Sequence, residues 1–193
     1  MSDNLRQYVK AVYAFDHVLR SATAKSSAAT VLKKKAPCAG WTGKDVYEHS
    51  VGNVAMIKSF AVKGKGPKST PKVGDDPVGA WDKLRDTTLE ALDRPGVLQS
   101  IAHEPFGADF GSMPLDNLVG FMAAELAVHT WDMARTAKVD ERLDPALAKF
   151  SLGMWKSLSE DVLRSPGFCA AAIKPAAGAD VQTKLLNFMG RAV

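Results

Sequence analysis

A helix that is apolar on every side has to be enclosed by protein, and this 193-residue chain contains one. From Leu115 to Val128 its circumference is filled by Leu115, Leu118, Val119, Phe121, Met122, Ala123, Ala124, Leu126, Ala127 and Val128. The run is shorter than the ~20 apolar residues that cross a bilayer, and Glu125 interrupts it. It predicts a central helix, wrapped by the rest of the chain, with a carboxylate in its middle.

The wrapping material is legible as further helices. Apolar residues recur at helical spacing through Leu5, Tyr8, Val9, Val12, Phe15, Val18 and Leu19, predicting a helix over 4–22. A polar, lysine-rich connector follows. Thr42 with Asp45 three residues on has the form of a capping box and starts a second helix over 42–63. Residues 64–77 hold Pro and Gly breakers and form a loop. Asp76-Pro77 opens a third helix, over 77–92, because proline is tolerated at the first helical position. Residues 97–111 lack helical period and predict a loop or a short hairpin. The central helix runs over 114–138. Asp144-Pro145 opens a fifth helix over 145–164, stopped by Pro166-Gly167, and a short last helix lies within 181–190. The expected class is all-α, one domain over 1–193, a helical bundle with additional short helices.

Composition narrows the function classes. Lys and Arg total 25 against 21 Asp and Glu, a net charge of +4. The excess sits in connectors, at Lys33-Lys34-Lys35 and at Lys58, Lys63, Lys65, Lys68 and Lys72. Without interleaved aromatics or a reading helix, these are solvated lysines, and no nucleic acid partner is expected. No membrane partner and no secretory signal are expected either. Two cysteines cannot frame a disulfide-dependent fold, so free thiols and a cytoplasmic setting follow. A monomer or homodimer fits a chain of this size.

The chemistry converges on Glu125. His129 and Asp132 project from the same helix face, since residues three and four apart are neighbours. An unpaired buried carboxylate costs several kcal/mol. A buried arginine, a protonated carboxyl or a bound metal could each compensate it. The second helix turns the stripe Val46, His49, Asn53, Met56 and Phe60 inward. His49 with Glu125 and His129 makes an N/N/O set, and three ligands with an open position are the layout of catalytic zinc. A histidine satisfied within the core is the competing reading. Asp132 either accepts an imidazole N–H or pairs with Arg135. Trp41 and Trp131 are read as core packing, Cys38 as a buried structural thiol, and His17 and His103 as surface histidines. Cys169 carries no motif. No phosphate loop, nucleophile elbow or dinucleotide fingerprint is present.

Three segments carry a resemblance. Pro37 to His49, PCAGWTGKDVYEH, resembles the PCxGWTVRDLLxH signature of actinobacterial DinB-like proteins, which share the metal-binding N-terminal domain of mycothiol-dependent maleylpyruvate isomerase. Glu125 to Arg135, ELAVHTWDMAR, is similar to the group's ExxxHxWDxAR signature. Thr183 to Arg191, TKLLNFMGR, resembles the LLxxxGR close of a subfamily of about 190 residues. Lys44, Tyr47 and Glu48 depart from the usual Arg and apolar pair, outside the ligand set. The resemblance implies a DinB-like four-helix bundle and a divalent metal held by His49, Glu125 and His129. Zinc is the expected ion, with nickel or another divalent ion as alternatives. The maleylpyruvate reaction, which draws on a second domain, does not carry over, since a fold licenses no particular reaction.

Three functions stay open at this level. A metal-dependent thiol transferase or isomerase would bind a low-molecular-weight thiol, mycothiol being the one implied, and join it to a small electrophile. A metal-dependent hydrolase would use the open position for water. A non-enzymatic metal-binding or stress-response bundle would do neither. The partners of Arg191 and Cys38 are not legible in the sequence.

Overall fold

The computed structural model describes residues 1–165 and 168–193. The protein is all-α with one two-residue-per-strand hairpin. The helices are α1 (Asp3–Lys25), α2 (Ala28–Leu32), α3 (Gly43–Lys63), α4 (Pro77–Leu92), α5 (Leu115–Ala137), α6 (Pro145–Lys156), α7 (Glu160–Leu163) and α8 (Val181–Phe188).

Local signals set the helix boundaries. Ser2 caps α1 by accepting from the Leu5 N–H. Thr42 and Asp45 close a reciprocal capping box at the start of α3, satisfying two backbone donors that the first turn leaves without partners. That helix stops at Gly64, whose φ of +66° is left-handed backbone that glycine adopts without penalty. Asp76 and Asp144 cap α4 and α6 ahead of Pro77 and Pro145.

Three expectations need correction. The polar, lysine-rich connector contains a short helix, α2, capped by Ser27 and with Val31 buried. The expected fifth helix divides: α6 ends at Lys156, and Ser159 caps a new turn, α7, by accepting from the Val162 N–H. The Pro166-Gly167 stop lies outside the described residues. The hairpin pairs Ile101 and Ala102 with Pro114 and Met113, so its return strand falls just beyond 97–111.

Packing explains why α5 is apolar all round. α1 and α3 each pack against both α5 and α4, closing a four-helix ring. The opposite side of α5 receives α6, and α8 packs on α6. Leu118, Val119, Met122 and Leu126 therefore face one core with Tyr8, Phe15, Ile57 and Trp81. Ala124, Val128 and Trp131 face a second core with Leu143, Trp155, Leu185 and Leu186. Asn4 donates to Asp116 at 3.0 Å, tying the start of α1 to the start of α5. A Cβ at Gly120 would stand 2.5 Å from the Asn4 side-chain oxygen, so a larger residue there would push Asn4 off its bond to Asp116. Among the described residues, no helix is long and apolar enough to cross a membrane.

Candidate metal centre

The segment before α3 folds tightly back on itself. The Ala36 N–H donates to the Trp41 carbonyl at 2.9 Å, and the Gly43 N–H donates to the Lys34 carbonyl at 2.8 Å. This carries Cys38 and Trp41 over the junction of α3 and α5. Trp41 stacks on the His129 ring, with 5.5 Å between centroids and 7° between planes.

At that junction His49, Glu125 and His129 meet. Nε2 of His49 lies 2.8 Å from Oε1 of Glu125, and Nε2 of His129 lies 3.3 Å from the same oxygen. All three donor atoms fall within 4.8 Å of one another. A tetrahedral ion holding ligands at roughly 2.0–2.1 Å spaces them about 3.3 Å apart, so the three donors are close enough together to hold a metal ion after small side-chain shifts. The His49 side chain is 36% exposed, Glu125 17% and His129 7%, so the donors open outward at one edge. The expected inward stripe of α3 is rotated slightly. Val46, Val54 and Ile57 form its buried face, while His49, Asn53 and Met56 lie along its partly exposed margin. The Asn53 amide nitrogen comes within 3.1 Å of His49 Nε2.

Behind His129 the choice left open for Asp132 resolves. Its carboxylate, wholly buried, accepts from His129 Nδ1 at 3.0 Å, while Arg135 pairs with Glu141 instead. Holding Nδ1 in this way directs Nε2 toward Glu125, the arrangement that orients a ligating imidazole. Arg191 donates to Asp132 through Nη2 at 2.9 Å and to the Cys38 sulfur at 3.1 Å. Cys38 is half-buried, not a buried structural thiol, and its sulfur lies 3.1 Å from Asp132. Cys38, His129 and Asp132 also converge, but the Arg191 guanidinium already supplies the positive charge there.

The electrostatics agree with the geometry. Burial alone would raise the Glu125 carboxyl, but hydrogen bonds with His129 and His49 outweigh it and hold the group well below the usual carboxylate range. Burial likewise opposes ionisation of Asp132, yet His129 and Arg191 draw it down to about 2. Burial disfavours a charged His129, while Asp132, Cys38 and Glu125 around the ring lift it well above the ordinary imidazole value. With His129 charged, it and Arg191 balance Glu125 and Asp132, so an ion taken up at the donors would displace the proton from His129 Nε2.

The donors open into a cavity of about 480 Å³ lined also by Cys38, Trp41, Val128, Trp155, Phe168 and Cys169. Burial and the nearby Glu125 charge push the Cys169 thiol up. Trp131, read as core, is fully buried. His17 is exposed, and His103 is exposed and outside the cavity lining. The sequence leaves Arg191 without a partner, places Asn53 beside His49 without a role, and gives no sign that Trp155 and Phe168 line the cavity. The closing Gly190-Arg191 pair was the one available signal.

Comparison with known proteins adds relatives but no activity. The chain is 28% identical over 158 residues to two Mycobacterium tuberculosis proteins, one from each of two strains, both described as uncharacterized. The match covers 81% of this chain and 83% of each relative. No protein-family profile matches, and no solved structure matches.

Proposed function

We propose that this protein binds a divalent metal, zinc foremost, through His49, Glu125 and His129, and uses it as a DinB-like thiol-dependent enzyme. The carrying observation is the convergence of three N/N/O donors at the cavity edge, with His129 held from behind by Asp132. The three motif resemblances support the same reading. Bound there with an open position, such an ion supplies Lewis acidity that lowers the pKa of a thiol or water. The chain's own residues do the rest. Asp132 fixes the tautomer of His129, Arg191 keeps Asp132 ionised, and Trp41 covers the imidazole face. The free thiols Cys38 and Cys169 suit a reducing compartment such as the cytoplasm.

The test begins with elemental analysis of freshly purified protein, where about one divalent ion per chain is expected. A small electrophile, such as an epoxide or a chlorinated aromatic, should then be consumed only when both metal and a low-molecular-weight thiol are present. Consumption without thiol would point to a hydrolase. No bound metal after reconstitution would end the proposal.

A further inference from the structure

We infer that the cavity selects a ligand with one small metal-binding head and an uncharged aromatic or branched apolar body. The inference rests on the metal reading above and adds the chemical class of what enters the site. At about 480 Å³, the cavity falls within the roughly 300–1,000 Å³ of small-molecule sites.

Two observations specify the body. The first is the wall built by α5, α6 and the C-terminal segment, where Val128, Trp155, Phe168 and Met189 line the cavity. Trp155 is 1% exposed and is held edge-on between Phe121, at 5.0 Å, and Phe168, at 6.1 Å. It is a rigid aromatic backing for Phe168. Phe168 is 41% exposed, so its face offers apolar area that a ligand would remove from water.

The second observation is the state of the charges. Among the described residues lining the cavity, the charged and ionisable side chains are Cys38, His49, Glu125, His129, Cys169 and Arg191. Arg191 is the fixed cation, and it is committed. Its Nε and Nη2 donate to Asp132, Nη2 also reaches the Cys38 sulfur, and Nη1 donates to the Met189 carbonyl. A carboxylate or phosphate on the body of a ligand would lose water there and gain no unshared cation. That is an unfavourable exchange.

Three hydroxamates with a common head and different bodies test this directly. Protein reconstituted with Co²⁺ reports binding through its visible absorption, with no need of an assay for activity. Phenylacetohydroxamate should bind at least about tenfold more tightly than acetohydroxamate, since burying a phenyl ring supplies that much. The succinic monohydroxamate, with a carboxylate on its body, should bind no better than acetohydroxamate. Phe168→Ser, at an exposed position, should shrink the ratio of phenylacetohydroxamate to acetohydroxamate affinity several-fold. Equal affinities for all three, or tightest binding of the carboxylate, would overturn the inference while leaving the metal site standing. A phenyl preference that Phe168→Ser does not touch would overturn the wall assignment. Failure to take up Co²⁺ would remove the metal reading, and this inference with it.

Discussion

Asp132 is a buried charge with three partners, and its energetics can be isolated. Its carboxyl is drawn from an ordinary value near 3.8 to about 2, against burial, by His129 and Arg191. A depressed folded-state pKa contributes stability above the unfolded pKa, and that stability is lost as pH falls through the folded one. The expected contribution is about 2 kcal/mol, present above roughly pH 4 and lost toward pH 2. His129 has the opposite sign, because its raised pKa stabilises at low pH and fades as pH rises. Chelator-treated protein should lose stability in urea unfolding between pH 4.5 and 2.5 through both Asp132 and the depressed Glu125 carboxyl, and Asp132→Asn should reduce that slope without abolishing it. An unchanged slope in the variant would deny Asp132 this role. At the residue scale the three donors were legible, because Glu125 and His129 lie four apart on a helix whose apolarity makes a carboxylate conspicuous. The support behind them was not. Cys38 and Arg191 meet Asp132 across 94 and 59 residues of chain, and no local spacing encodes such a meeting.

Helix starts matter to the site because they set which residues face it. His49 stands two turns into α3, and the Thr42–Asp45 box fixes where that helix begins. Thr42 holds the Asp45 carboxyl below its usual range, a sign that this cap is charge-assisted. Thr42→Ala should cost about 1–2 kcal/mol in global stability. Ser159→Ala, which uncaps the one-turn α7, should stay within about 0.5 kcal/mol, because so short a helix can fray without unfolding the bundle. Denaturant titration of both variants gives the comparison, and equal costs would contradict it. The long helices were readable from caps, proline starts and period. The turn of α2 and the division between α6 and α7 were not, since a five-residue helix shows too little periodicity and Ser159 sits inside an otherwise continuous apolar pattern.

For the whole molecule, α5 joins two cores and carries two of the three candidate donors, so a metal bound there would be coupled to folding through one element. Its all-round apolarity announced enclosure in the sequence. That the enclosure comes from a four-helix ring on one side and α6 with α8 behind follows only from tertiary contacts. A ligand that binds the folded state alone stabilises it by about 2.7 kcal/mol at a hundred times its Kd. For a chain of this size that corresponds to roughly 5–10 °C in Tm. Removing metal from the wild type with a chelator should lower Tm by that amount. In His129→Ala one donor is gone, and Glu125 loses the hydrogen bond that helps hold its carboxyl down, so its pKa should rise. That variant should start from a lower Tm, and chelator should move it little. The decisive quantity is the chelator-induced shift in each protein, which cancels any general loss of packing in the variant. Equal shifts would exclude His129 as a ligand, and no shift in the wild type would mean that the folded bundle gains nothing from a metal.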